Sequence, residues 1–337
     1  MYCLGTSGEV MRRREFINLI VGATAIWPIG GLAQQGRSGR QARIAVVGLV
    51  SPSTDMLKAF RDSMREHGYV EGQNLTIDVR WPKGTFDQDP KVVGDLAKSK
   101  ADVIVAWATP TVIAVRRAIT STPIVMVAIG DPVGSGFVES LARPGGNITG
   151  VSIITTDLTA KLIGLFTQMV PGMRRIGFVT NSHNPNVALQ LRSSEETVRK
   201  LGLESQVVEA RTSEEFERGF AKLKAAQVGG VVVLQDPVVF ENRKKIAELA
   251  LAAKLPTAFQ RRENVEAGGL FSYGGNLVVQ FKDAASYVDR ILKGAKPAEL
   301  PVEQPTQFDF VINSKTAKAL GVVIPTSLLA LSSEVIE

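Results

Sequence analysis

The 337-residue chain holds one cysteine, Cys3, and two histidines, His67 and His183. Cys3 lies upstream of a segment expected to be removed, so the mature protein has no disulfide and no reactive thiol and must rely on its apolar core. Two histidines far apart in sequence, with no cysteines or carboxylates clustered at ligand spacing, give no metal site. His67 stands at a helix end beside Gly68, where the helix dipole is reason enough for it; His183 lies near the candidate cleft described below. A phosphate-binding loop of the Walker type, a Gly-x-Gly-x-x-Gly fingerprint and a Gly-x-Ser-x-Gly elbow are all missing. These absences favour a binding protein over an enzyme, and no cofactor is expected.

Charge of one sign is also scarce. The formal net charge is +6, and its lysines and arginines, among them Lys58, Arg116, Arg117, Lys244 and Lys245, are scattered near acidic residues. Such a distribution describes solvated helix faces and excludes a nucleic-acid-binding patch. Hydrophobic residues make up 45% and charged residues 21%, which rules out disorder and suits a globular chain with two cores.

What is present begins with a leader. Arg12-Arg13-Arg14-Glu15-Phe16-Ile17 precedes the apolar run Leu19 to Ile29 and then Gly31-Leu32-Ala33. The succession of charge, apolar run and small residues is that of a secretory signal peptide, with cleavage expected after Ala33; the run is too short for a membrane anchor. Arg13-Arg14-x-Phe16-Ile17 resembles a twin-arginine signal, and an ordinary Sec signal that begins with arginines is the alternative. The ten residues before Met11 match nothing in such a signal, which makes Met11 a candidate start. No cysteine follows the run, which argues against a lipid anchor. The expected location is the periplasm, with Gln34 to Gln41 as a disordered leader.

Beyond it, strand-length apolar runs alternate with amphipathic helical segments. Strands are expected at Arg43 to Val50, Leu75 to Trp81, Val103 to Trp107, Ile124 to Val127, Ile176 to Thr180 and Val231 to Leu234. Helices are expected at Thr54 to His67, Pro110 to Ile119, Leu158 to Val170, Val187 to Leu201, Ser213 to Ala225 and Val239 to Ala253. The repeated order predicts open parallel sheets, and about ten strand candidates predict two of them. Candidate junctions lie at Arg143 to Gly150, at Ser272 to Gly275 and at the proline-rich Lys296 to Thr306. The expected lobes are 42–152 with about 275–300, and 153–274 with about 306–337.

In such sheets ligands bind beyond the carboxyl ends of the strands. The polar residues expected there are Ser53, Thr54, Thr109, Asp131, Asn181, Ser182, Asp236 and Tyr273. Small hydroxyl residues beside helix starts suit a carboxylate and aspartates at strand ends suit an ammonium, so together they point to a zwitterion such as an amino acid. Taken alone, each such residue is more often a plain helix cap or turn residue than a ligand contact, and only their joint placement in both halves favours a site. Trp81, Trp107, Phe240 and Tyr273 are candidate apolar walls, with Trp81 placed in the core by its strand spacing.

The ordered segments Ala59-Phe60-Arg61, His67 to Asn74, Asp131-Pro132-Val133, Leu141 to Gly150, Ala267 to Leu270, Ser272-Tyr273-Gly274, Arg290 to Ala298 and Leu300 to Thr306, with Val311-Ile312-Asn313 and Lys315-Thr316-Ala317, resemble the ABC-transporter substrate-binding family that includes tryptophan- and tyrosine-binding receptors. The resemblance covers Arg43 to Glu337. It implies a type I periplasmic-binding-protein fold of two doubly wound parallel-sheet lobes joined by a three-segment hinge. It also implies a small-molecule ligand held between the lobes, a monomer that delivers to an ABC permease in the inner membrane, and no cofactor. Trp107 stands where similar proteins often have a small residue, which implies a narrower cleft or a different ligand. A receptor of the same fold that feeds a membrane signalling protein is the alternative reading.

Overall fold

Residues 41–83, 86, 89–153 and 155–337 are described by the computed structural model. The leader expected before residue 41, with its signal peptide and candidate start, lies outside them.

Unbroken apolar runs build the central strands, because a strand covered on both faces has no solvent side to leave polar. The first sheet is made of β1 (Ala42–Gly48), β2 (Leu75–Arg80), β3 (Val103–Trp107), β4 (Ile124–Ile129) and β5 (Ile148–Ser152). They lie in the order β2-β1-β3-β4-β5, all parallel. Between them run α1 (Thr54–Glu66), α2 (Lys91–Lys98) and α3 (Thr109–Ala118). Helix α1 starts where the Ser53 hydroxyl accepts from Met56 N, and it buries Met56, Phe60 and Met64 on one face.

Helix α4 (Thr155–Met169) carries the chain to the second sheet. There β6 (Arg175–Thr180), α5 (Pro185–Lys200), β7 (Glu204–Glu209), α6 (Ser213–Ala225), β8 (Gly230–Val233), α7 (Pro237–Glu241), α8 (Arg243–Ala253), β9 (Thr257–Phe259), α9 (Arg262–Glu266) and β10 (Phe271–Gly274) follow in turn. Next α10 (Leu277–Leu292) returns to the first sheet and packs on α1 through Phe281, Ala284 and Val288. Last come β11 (Asp309–Asn313), α11 (Ser314–Leu320), α12 (Thr326–Leu331) and β12 (Glu334–Ile336). The second sheet runs β12-β11-β10-β9-β8-β6-β7.

The chain thus passes between the sheets three times: after β5, after β10 and after α10. On the third passage Glu303 runs beside β5, with Ser152 N donating to Glu303 O at 2.9 Å and Glu303 N to Gly150 O at 3.0 Å. Four apolar clusters lie on the faces of the two sheets, and Phe240 of α7 joins the one that holds Trp107.

Four sequence expectations are corrected. The second sheet is not wholly parallel, since β10 and β11 pair antiparallel. The helix expected from Val239 to Ala253 is two, broken at Asn242, whose side-chain Nδ2 donates to Val238 O at 2.8 Å. Trp81 is not core: β2 stops at Arg80, Pro82 follows, and the indole is 48% exposed. The glycine-rich passage 143–147 leads into β5, so the chain leaves the first sheet only after Ser152.

Candidate functional site

Parallel strands place their carboxyl ends along one edge, and here those edges of the two sheets face each other across a small cavity of about 30 Å³. From the first sheet it is lined by Trp107 at the end of β3, Ala108 and Thr109 at the start of α3, and Ala128 in β4. From the second it is lined by Asn184 and Asn186 at the start of α5, by Gln235, Asp236, Pro237 and Phe240 around α7, and by Arg261 before α9.

The two sides touch. The Trp107 ring meets Phe240 edge-on, with centroids 6.0 Å apart at 83°. Gly130, just past β4, leaves room for the Asn186 amide; a Cβ there would come within 1.8 Å of Asn186 Oδ1. Backbone strain concentrates on the first-sheet side of the cavity. Ala108 has φ 70° and ψ 143°, and Ala128 has φ 59° at a shift in register between β4 and β5. Non-glycine residues adopt such angles at a cost, and they do so most often where packing around a site over-determines them.

Asp236 is the hub of the second-sheet side. As the cap of α7 it accepts from Val238 N at 2.8 Å and from Asn181 Nδ2 at 3.2 Å on Oδ1, and from Asn184 Nδ2 at 2.9 Å on Oδ2. Burial pushes its carboxyl above the ordinary range, and the donors from Asn184 and Asn181 pull the other way. Asn184 in turn caps α5, its Oδ1 accepting from Asn186 N at 3.1 Å.

Arg261 is 7% exposed. Burial lowers its guanidinium to about 10, and the charge of Glu263 pulls the other way. Its contact is the Gln235 amide, assigned with its oxygen toward Arg261 because both ends are then satisfied: the oxygen accepts from Arg261 Nε at 3.2 Å and from Nη2, and the nitrogen donates to Gln260 Oε1 at 2.8 Å. Gln260 Nε2 donates to Thr159 Oγ1 at 2.5 Å. A buried cation on a cavity wall, held by a neutral amide, has the means to bind an anion.

Of the residues expected from sequence, the structure brings Thr109 and Asp236 to the cavity, with Asn181 behind Asp236. Ser53 caps α1 and Thr54 is exposed at its first turn. Asp131 accepts from Gly134 N at 2.8 Å within its own turn. Ser182 is exposed, its N donating to Glu209 Oε2 at 3.0 Å, and His183 beside it is exposed and meets Arg211 Nη1 at 3.1 Å. Tyr273 packs on Phe308 and Phe310. Trp107 and Phe240, expected as apolar walls, line the cavity. Sequence reasoning missed Arg261, Gln235 and Asn186. Arg261 follows a three-residue strand, too short to announce itself by periodicity, although its place after that strand was the available signal.

Residues 43–336 match the family profile described as "ABC transporter substrate binding protein". A tyrosine-binding protein of Clostridioides difficile is 27% identical over 286 residues, 84% of this chain and 82% of that protein. Among solved structures, a conserved domain protein from Vibrio cholerae is 28% identical with a TM-score of 0.82, covering 88% of this chain and all of that one. An ABC domain from Streptococcus pneumonia in complex with L-Trp is 28% identical with a TM-score of 0.80 and the same coverage. The shared architecture is the type I periplasmic-binding fold.

Proposed function

The chain belongs to the ABC transporter substrate-binding protein family, and from that premise we propose that it captures an α-amino acid between its two sheets and delivers it to an ABC permease in the inner membrane. The observation that carries the ligand class is the buried guanidinium of Arg261, which lines the cavity with an amide, and no carboxylate among the described residues, as its hydrogen-bond partner. A ligand carboxylate there replaces the hydration that burial removed, and charge-assisted bonds to it are stronger than neutral ones. Asp236, with the polar groups around it, is the ammonium side of the same cavity. The names of the relatives support an amino acid over a sugar or an inorganic anion.

Capture works by closure. Residues 42–152 with about 275–300 form one lobe, 153–274 with about 306–337 the other, and the three passages between them are the hinge. A ligand that touches Thr109 on one side and Asp236 and Arg261 on the other makes its full set of contacts only when the lobes meet, so binding shifts the population toward the closed form. The permease reads that form. The leader supports export to the periplasm, where such a receptor works as a freely diffusing monomer.

Thermal-shift measurements of the purified protein against the twenty L-amino acids test the ligand class, since a ligand that binds only the folded state raises its melting temperature. A rise with one or more amino acids is expected. No rise with any of them, together with a rise for a sugar, overturns the reading.

A further inference from the structure

The cavity's aromatic end is filled by the protein itself. The Trp107 indole is 3% exposed, stands edge-on to Phe240 across the cavity and to Phe281 of α10 at 6.2 Å, and lies against Gly48. Any Cβ at position 48 would come within 1.7 Å of Trp107 Nε1, so the bare glycine is the seat of the ring. Two unfavourable features persist at this spot. Nε1 is buried with no hydrogen-bond partner among the described residues, and the next residue, Ala108, holds φ 70° and ψ 143°. Neither is a local preference of the chain, so the ring is held where it is by its packing. What it leaves is a cavity of about 30 Å³.

On the amino-acid reading of the site, we propose that Trp107 sets its specificity: the indole takes the space into which a ligand side chain extends, and the cleft accepts short side chains, of alanine or serine size, in preference to aromatic ones. With the carboxylate on Arg261 and the ammonium near Asp236, a side chain directed at the facing sheet meets Trp107. A small movement of the lobes makes room for a methyl or hydroxymethyl group. A phenol or an indole fits only if Trp107 leaves two ring contacts and its glycine seat together. The chain therefore differs in ligand from what the names of its relatives suggest.

Titration calorimetry on the purified wild-type protein and on Trp107→Ala, each with L-alanine, L-serine, L-tyrosine and L-tryptophan, tests this. Wild type is expected to bind a short amino acid at least about tenfold more tightly than either aromatic one, and Trp107→Ala to move the ratio at least about tenfold toward the aromatic ligands. Trp107→Leu, which keeps apolar bulk and protects folding, is expected to shift the ratio the same way by less. The proposal is overturned if wild type binds tyrosine or tryptophan as tightly as alanine or serine, or if both variants keep the wild-type ratio. If no amino acid binds wild type or variant, the amino-acid reading falls and this proposal with it; if amino acids bind with an unchanged ratio, only the Trp107 assignment falls.

Discussion

Replacing Arg261 with methionine should make the empty protein more stable and the receptor worse. Burial lowers the Arg261 guanidinium to about 10, and a fall of that size from its ordinary value corresponds to about 3 kcal/mol of unfavourable environment for the charge at neutral pH. The figure is an upper bound, because the Gln235 oxygen receives two of its N–H groups. Methionine keeps most of the length and apolar volume of the side chain and needs no acceptor. Urea unfolding without ligand should accordingly show Arg261→Met more stable by about 1–3 kcal/mol, while calorimetry should show its affinity for a bound amino acid lower by about ten- to hundredfold, the value of a lost charged hydrogen bond. The pH dependence has a defined sign. A basic group whose folded value is lowered leaves the folded protein with fewer protons than the unfolded chain above about pH 10, so wild type gains on the variant as pH rises through that value. An empty variant less stable than wild type by more than about 1 kcal/mol, with unchanged ligand affinity, would refute the assignment and make Arg261 a structural residue.

Asp236→Ala removes a helix cap and leaves the Asn181 and Asn184 amides without their acceptor, so unfolding experiments should show a loss of about 2–4 kcal/mol; a loss under about 0.5 kcal/mol would mean that the network contributes little. Because burial raises the Asp236 carboxyl above its ordinary 3.8, its favourable contribution is present below that value and is lost as pH rises through the folded one. Asp236→Asn lacks this titration, and its stability relative to wild type should therefore improve from acid to neutral pH in a series of urea melts; a constant difference contradicts the raised carboxyl. Gly150 pairs with Met126 in the first sheet at φ 133°, and a Cβ there would lie 2.2 Å from Met126 O, so Gly150→Ala should cost about 2 kcal/mol or more in the same assay. Small-angle scattering with and without a bound amino acid should register compaction on binding, and superimposable profiles would argue against hinge closure.

The sequence makes the architecture legible where long patterns exist. Val103 to Trp107 and Ser213 to Ala225 carry a continuous apolar run and a capping box with helical spacing, and the structure has β3 and α6 at those bounds. Legibility ends where elements are short or where pairing decides. Three-residue β9 has no period to read, and with it Arg261 and its place on the cavity escape. The direction of β11 beside β10 is set by the chain's return from α10, which no local pattern records. Trp81 continues the alternation of β2 in sequence but lies past its end, because Pro82 offers no N–H to the ladder. For the candidate site, strand-end positions led to part of the cavity lining. Thr109 and Asp236 reach the cavity, whereas Asp131 spends its side chain on its own turn and Ser53 on a helix start. Residue type and position alone do not separate a cap that faces a cavity from a cap that faces solvent.

The claim on which this account turns is that a carboxylate sits on Arg261 between the two sheets. Calorimetry of the wild-type protein with L-alanine, L-serine, L-tyrosine and L-tryptophan, each beside its carboxamide, addresses it directly, since the amide keeps the ammonium and side chain and removes only the negative charge. Whichever acid binds should lose at least about tenfold in affinity as its amide. Equal affinity for acid and amide would contradict it.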